Sequence, residues 1–404
     1  MPDEGSALDA EIREFCERLR LAQRYREIDE RPVFPWKEFR ALGSVGWLGP
    51  RFPAALGGRG WAPSREARLV EGLARWGGSV FAKLVLQPGF SSVLAAASVP
   101  IRERWLTPLF RGEVLVGNQI TEPGAGSDAG ALLMTATLEP GPGEPTYVLN
   151  GTKSGIAFAE EAQAAIVYAR TGGEGTRGIS AFLVPQDLRG IQREGGEDLG
   201  ERWMRRGTVH YDRVRVPRDH RIGEEGAAFG LLASELRQER VLLSLVYLGL
   251  ARASLDEVER YVMGRRAFGR PLGSFEGVSF PLMEDEARWS AAHLLSLEAV
   301  RHMDDGSLGD AESALAKWFA NETSLVALDH AMQFSGGAGY SHDTLHELRW
   351  RDVRSGKLAH GSSEILLLVA AREILGRESL PYRKVTKDVR PGSPSSDQMG
   401  ERAG

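Results

Sequence analysis

The chain has 404 residues, 26% charged and 42% hydrophobic, with 55 acidic against 50 basic side chains, a globular balance with length for two or three domains. A net charge of −5 provides no long-range basic field and argues against nucleic acid or an anionic membrane as main partner. One cysteine, Cys16, excludes an intrachain disulfide framework and a cysteine-rich metal site.

The opening MPDEGSALDAEIREF is acidic and amphipathic where a secretory leader is basic and then apolar, so a cytoplasmic chain is expected. Within it Leu8, Ile12, Phe15 and Leu19 step by four, three and four, one apolar stripe on one helix face. Breaks follow at Pro32, Pro35 and PRFPAALGGRG (50–60), and helical patterns resume over 64–111. From Val114 to Ile222 the texture is β: TYVLNGTK, AAIVYAR, ISAFLVP and TVHYDRVRVP stand between turn residues, and Asn150–Gly151 reads as a hairpin turn. The helical period returns at Ala227 and lasts over 150 residues. No run approaches the ~18–20 apolar residues that span a bilayer, so no membrane span is expected. The glycines of 124–130 have nearly the spacing of a dinucleotide fingerprint but lack its strand–helix context.

Four stretches, in order, carry more. They are Ile120-Thr121-Glu122-Pro123-Gly124-Ala125-Gly126-Ser127-Asp128; the pair YVLNGTK (147–153) and VRVP (214–217); Arg265-Arg266-Ala267-Phe268-Gly269-Arg270; and Gln333-Phe334-Ser335-Gly336-Gly337-Ala338-Gly339-Tyr340, with Arg351-Asp352 and Gly361-Ser362-Ser363-Glu364-Ile365 beyond it. Together they resemble the acyl-CoA dehydrogenase family of flavoproteins over roughly residues 7–380. The resemblance implies an α+β fold: an N-terminal helical domain (1–113), a middle β-barrel or sandwich domain (114–225), a C-terminal four-helix bundle (226–383) and a disordered tail (384–404). It further implies FAD between the β-domain and the bundle, with a neighbouring subunit of a homodimer or homotetramer completing the site. By the same resemblance, the cofactor-binding residues are Ile120, Thr121, Ser127, Ala157, Arg265, Phe268, Gln333, Gly336, Gly337 and Ser362. The implied reaction is α,β-dehydrogenation of an acyl thioester, on coenzyme A or a carrier protein, with an electron-transferring flavoprotein as acceptor.

The reaction needs a base for a weakly acidic α-proton, and a glutamate in a dry pocket suits it. Most members of the resembled family carry that glutamate before the Gly-Thr of the last motif. Here Leu358-Ala359-His360-Gly361 puts His360 there. A minority carries the base on the first long bundle helix before an arginine, where this sequence has Glu239-Arg240. Glu239 is therefore the expected base, the alternative being an ordinary helix carboxylate that pairs with Arg240. His360 has three readings: the base itself, a hydrogen-bond donor in an oxygen-using flavin monooxygenase or oxidase, or a space-filling bystander. A third class, a non-catalytic binding protein on the same fold, is motivated by the missing standard base and by the changes at Gly155 and Ala157. These replace an aromatic and a hydroxyl of the resembled family; either they open the site or Phe158 refills the gap.

Arg240, Arg237 and Gly361 are the expected substrate-binding residues, with Arg205 and Arg206 also matching positions near the thioester entrance and suited to phosphate. His342 and His346 have zinc-helix spacing but lack the following Glu and a third ligand, so no metal is expected.

Overall fold

A computed structural model describes residues 4–87, 91–140 and 144–376. The expected tail at 384–404 lies outside the described residues. The N-terminal part is helical: α1 (Glu4–Arg18), α2 (Leu21–Glu30), α3 (Trp36–Ser44), α4 (Pro63–Trp76), α5 (Ser79–Leu86), α6 (Ser91–Ala95) and the short α7 (Val99–Ile101) and α8 (Thr107–Phe110). Leu8, Ile12 and Phe15 are buried as the stripe requires, because residues three and four apart share one helix face.

Eight strands follow: β1 (Val116–Gln119), β2 (Thr135–Glu139), β3 (Thr146–Ile156), β4 (Ala164–Arg170), β5 (Ile179–Pro185), β6 (Ile191–Gly195), β7 (Gly207–Pro217) and β8 (Arg221–Ile222). They form one mixed sheet in the order β6-β7-β3-β2-β4-β5-β8, and β1 pairs parallel to β4. β4 and β5 are buried along almost their whole length and read as continuous apolar runs. Asn150–Gly151 is not a hairpin turn. Both residues lie inside β3, which pairs with β2 on one side and β7 on the other, and the register with β7 shifts between Leu149 and Gly151. Gly151 has φ +149°, and a side chain there would collide with Met134; the glycine serves a bulge, where the chain must bend and the backbones approach closely.

The remainder is helical apart from a two-stranded ribbon of β9 (Arg266–Ala267) and β10 (Arg270–Pro271). Its helices are α9 (Ala228–Gly264), α10 (Glu276–Asp305), α11 (Asp310–Phe334), the short α12 (Gly337–Tyr340), α13 (His346–Ser355) and α14 (Ser363–Ile374). α9 has 37 residues and runs about 55 Å. From Val241 to Ala251 every residue is buried, and apart from Ser244, whose hydroxyl donates to the carbonyl of Val241, and the Tyr247 hydroxyl the stretch is apolar, as suits a helix at the centre of a packed body. One core joins α1, α4, α5 and α9 to the inner residues of β1, β4 and β5. A second fills the sheet, and a third lies at the C-terminal ends of α9 and α11. No helix among the described residues is long and apolar enough to cross a membrane.

Candidate active site

The first motif sits on the loop leaving β1. Lys153 of β3, fully buried, donates to the carbonyl of Ile120 at 2.8 Å and to Glu122 at 2.9 Å. Glu122 in turn accepts from the backbone N–H groups of Leu133 and Met134 at 2.6 and 3.0 Å. The backbone N–H of Ser154 donates to the carbonyl of Thr121 at 2.9 Å, which fixes the 120–128 loop beside the 154–158 segment. Burial pushes the Lys153 ammonium down to about 8 against the pull of Glu122.

The two segments present an open surface side by side. Thr121 and Ser127 are exposed, and Ala157 is half-buried. A side chain at Gly124 or Gly155 would meet no heavy atom within 4 Å, and Gly155 takes φ +64°. Phe158 does not refill the gap left at Gly155 and Ala157. It is buried, with ring centroids 5.4 Å from Phe34 and 5.3 Å from Trp203, so its ring belongs to the core. Small residues, open backbone and exposed hydroxyls are what a flavin with a pyrophosphate arm requires, and the residues present fit FAD.

A buried polar junction ties the 154–158 segment to the helical parts. Phe158 N–H donates to the carbonyl of Met204 at 2.7 Å. In the adjoining turn Glu201 pairs with Lys83 of α5, and its N–H donates to Asp352 of α13 at 2.6 Å. Asp352 also accepts from Tyr25 at 2.7 Å and from Ser79. Burial lifts its carboxyl to about 6.

His360 follows α13 with φ 55°. Lys317, fully buried on α11, holds its loop by donating to the carbonyls of Gly356 at 2.8 Å, Ala359 at 2.5 Å and Gly361 at 3.0 Å. Arg240 Nε donates to the carbonyl of His360 itself at 3.1 Å. Burial first, then the charges of Lys317, Lys83 and Arg240, push the imidazole down to about 3. His360 is thus neutral and only feebly basic at neutral pH.

Glu239 is 2% exposed. Its Oε1 receives no hydrogen bond from any described residue, and the guanidinium of Arg51 stands 3.5 Å away. Burial pushes its carboxyl well above the ordinary carboxylate range; Arg51 pulls it back, and Glu235 and Glu66 push it further up. Sequence reasoning missed Arg51, Glu66 and Glu235. The i, i+4 spacing of Glu235 and Glu239 was legible, but the arginine that joins them comes from another part of the chain.

The expected substrate-binding arginines are not gathered. Arg237 pairs with Asp310 at 2.6 Å, Arg206 with Asp198 at 3.0 Å, and Arg205 with Glu160 and Glu161; only Arg240 reaches the His360 loop, next to Gly361. Ser362 caps α14, its hydroxyl accepting from the N–H of Ile365 at 3.4 Å. Arg265, Phe268, Gln333, Gly336 and Gly337 are exposed, Phe268 at 96%, and lie at the other end of the bundle. Glu239 and the last residue of α9, Gly264, are about 38 Å apart along the helix. His346 begins α13 and bonds Ser254 at 3.0 Å, while His342 lies in the preceding turn, so the two do not share a helix face. No metal-binding group is found among the described residues.

Fold and site together put the chain in the class of flavin-dependent oxidoreductases. Three acyl-CoA dehydrogenase family models match it in order: the N-terminal domain over 2–113, the middle domain over 117–214 and the C-terminal domain over 228–375. The human mitochondrial short-chain specific acyl-CoA dehydrogenase is 33% identical over 93% of this chain and 91% of its own length. Subunit CarC of the caffeyl-CoA reductase–Etf complex of Acetobacterium woodii is 29% identical over 90% and 96%. The crystal structure of an acyl-CoA dehydrogenase from Geobacillus kaustophilus superposes with a TM-score of 0.86, at 25% identity, over 93% of this chain and 98% of that one. The chain belongs to the acyl-CoA dehydrogenase family, and with it to the FAD-dependent oxidoreductases that act on CH–CH groups.

Proposed function

We propose that the chain dehydrogenates a saturated acyl-CoA between Cα and Cβ, with Glu239 as the base that takes the α-proton. FAD, when bound, supplies the acceptor for the β-hydrogen. The observation that carries the assignment is a carboxylate buried to 2% with an oxygen that no described donor satisfies. Such a carboxylate is held more basic than one in water, and it lies on the helix whose next residue anchors the His360 loop. His360, held near 3, is too weak a base for this proton. Arg240, whose guanidinium donates to the carbonyl of His360, gives the loop a positive potential that favours negative charge developing on a thioester oxygen. The oxygen-using alternative drawn from His360 gains no support from relatives named as dehydrogenases and a reductase.

Arg265, Phe268 and Gln333 serve the flavin of a second copy in this reading, because they lie at the far end of the bundle from Glu239. The chain would therefore act as a homodimer or homotetramer. An electron-transferring flavoprotein takes the electrons, a partner supported by the Etf complex named for the Acetobacterium relative, and the location is cytoplasmic. Glu239→Gln should retain FAD and slow flavin bleaching by saturated acyl-CoA about 10²–10⁴-fold, the usual contribution of a general base. Bleaching at the wild-type rate by this variant would remove Glu239 from the mechanism.

A further inference from the structure

The loop between α3 and α4 sends Arg51 into the molecule, where its side chain is only 11% exposed. One of its terminal nitrogens lies 2.9 Å from Glu235 and 3.5 Å from Glu239. Its Nε lies 3.3 Å from Glu66 of α4, and its other terminal nitrogen donates to Gln238. Glu235 is held from its second oxygen by the hydroxyl of Ser92 on α6. Among the described residues, the charged groups facing Glu239 form one cluster: Arg51 from the loop, Glu66 from α4 and Glu235 one turn earlier on α9 itself. Three carboxylates share one guanidinium in a dry site, so all three cannot ionise together.

The sharing is unequal. Glu235 has the shorter contact and a hydroxyl donor, while among the described residues Glu239 has only the longer approach of Arg51. Among the described charges around Glu239, Arg51 alone favours its ionised form, and only the ionised form accepts a proton. From this geometry we infer that Arg51 is a positioning residue that keeps Glu239 competent as a base, and that Glu235 competes with Glu239 for it. The N-terminal helical part thereby controls the protonation of a group on the bundle. The inference rests on the reading of Glu239 as base, and it deepens that reading by naming what sets the base's charge. Burial pushes Glu235 to about 7 and lifts Glu66 as well, as expected where anionic charge exceeds its counter-charge.

The test uses FAD-loaded protein and two readouts. Infrared difference spectra taken through a pH titration follow the protonated carboxyl band of Glu239, assigned by its loss in Glu239→Gln. Anaerobic bleaching by butyryl-, octanoyl- or palmitoyl-CoA gives the pH profile of the reaction. Arg51→Gln should raise the Glu239 midpoint and the acid limb of the bleaching profile by about one pH unit or more, a tenfold loss of rate below the wild-type midpoint. Arg51→Lys should restore most of it. Glu235→Gln, nearly isosteric, should move both midpoints down, and it carries the test alone if Arg51→Gln fails to fold or to hold FAD. Midpoints unmoved in Glu235→Gln, or in a folded Arg51→Gln, overturn the inference while leaving Glu239 as base. Wild-type bleaching by Glu239→Gln overturns the base instead, and the infrared midpoint still decides the role of Arg51.

Discussion

His360 occupies a left-handed backbone conformation, φ 55°, which costs about 1–2 kcal/mol for most L-residues and which asparagine tolerates well. The imidazole is neutral, so its removal takes no charge from the site. His360→Asn is therefore expected to fold, bind FAD and leave the acid limb of the bleaching profile in place; a displaced limb would show that the imidazole titrates in the working range. Glu239 carries the opposite signature. Its folded-state value lies above its unfolded one, so between the two the folded state holds the extra proton and stability falls as pH rises through that window. Glu239→Gln removes this loss. Its melting temperature should gain on wild type progressively from about pH 4.5, the ordinary glutamate value, towards neutrality, and a constant offset across pH would contradict the burial argument. Glu239 was singled out in the sequence through the resemblance, since a glutamate before an arginine matches the minority position of the base. Arg51 was not, since an arginine in a glycine- and proline-rich loop looks like any solvated charge until the fold brings α4 and α9 to it.

The helices were read from their apolar periods, and the β runs from alternation and β-branched composition. What failed was Asn150–Gly151, where local turn chemistry matched a hairpin but the residues serve a bulge inside the long strand β3, paired on both sides. Only the position of β2 and β7 distinguishes these cases, and no local pattern states it. Lys317 is a comparable element-scale feature: one ammonium on α11, pushed down to about 7 by burial and by Arg240 and Lys83, ties three carbonyls of the His360 loop. Lys317→Met strands those acceptors. The loss of stability should be about 2–4 kcal/mol in chemical denaturation, with weaker FAD retention; a loss well below 1 kcal/mol would mean that the loop holds itself.

At the scale of the whole molecule, the buried junction of Asp352 with Tyr25, Ser79 and Glu201 joins the N-terminal helices, the sheet and the bundle, so the 120–128 loop and the helix that carries Glu239 belong to one packed body. One surface stripe suits the second copy proposed above. Phe280, Met283, Leu294 and Leu297 on α10 are 63, 58, 67 and 41% exposed, two pairs three apart repeated after fourteen residues, which places them along one stripe of the helix. Exposed apolar stripes of this kind mark interfaces. If the proposed assembly uses this face, Leu294→Glu should sediment as a smaller species than wild type and lose FAD on dilution. An unchanged sedimentation coefficient would place the interface elsewhere.

The most direct measurement is anaerobic mixing of the FAD-loaded protein with a panel of saturated acyl-CoA thioesters, watching the visible flavin band for wild type and Glu239→Gln side by side. The account predicts that at least one thioester bleaches the wild-type flavin, yielding the α,β-unsaturated product, and that the variant bleaches at least about a hundredfold more slowly with its flavin still bound. Equal bleaching in both proteins, or none by any thioester in wild type, would contradict it.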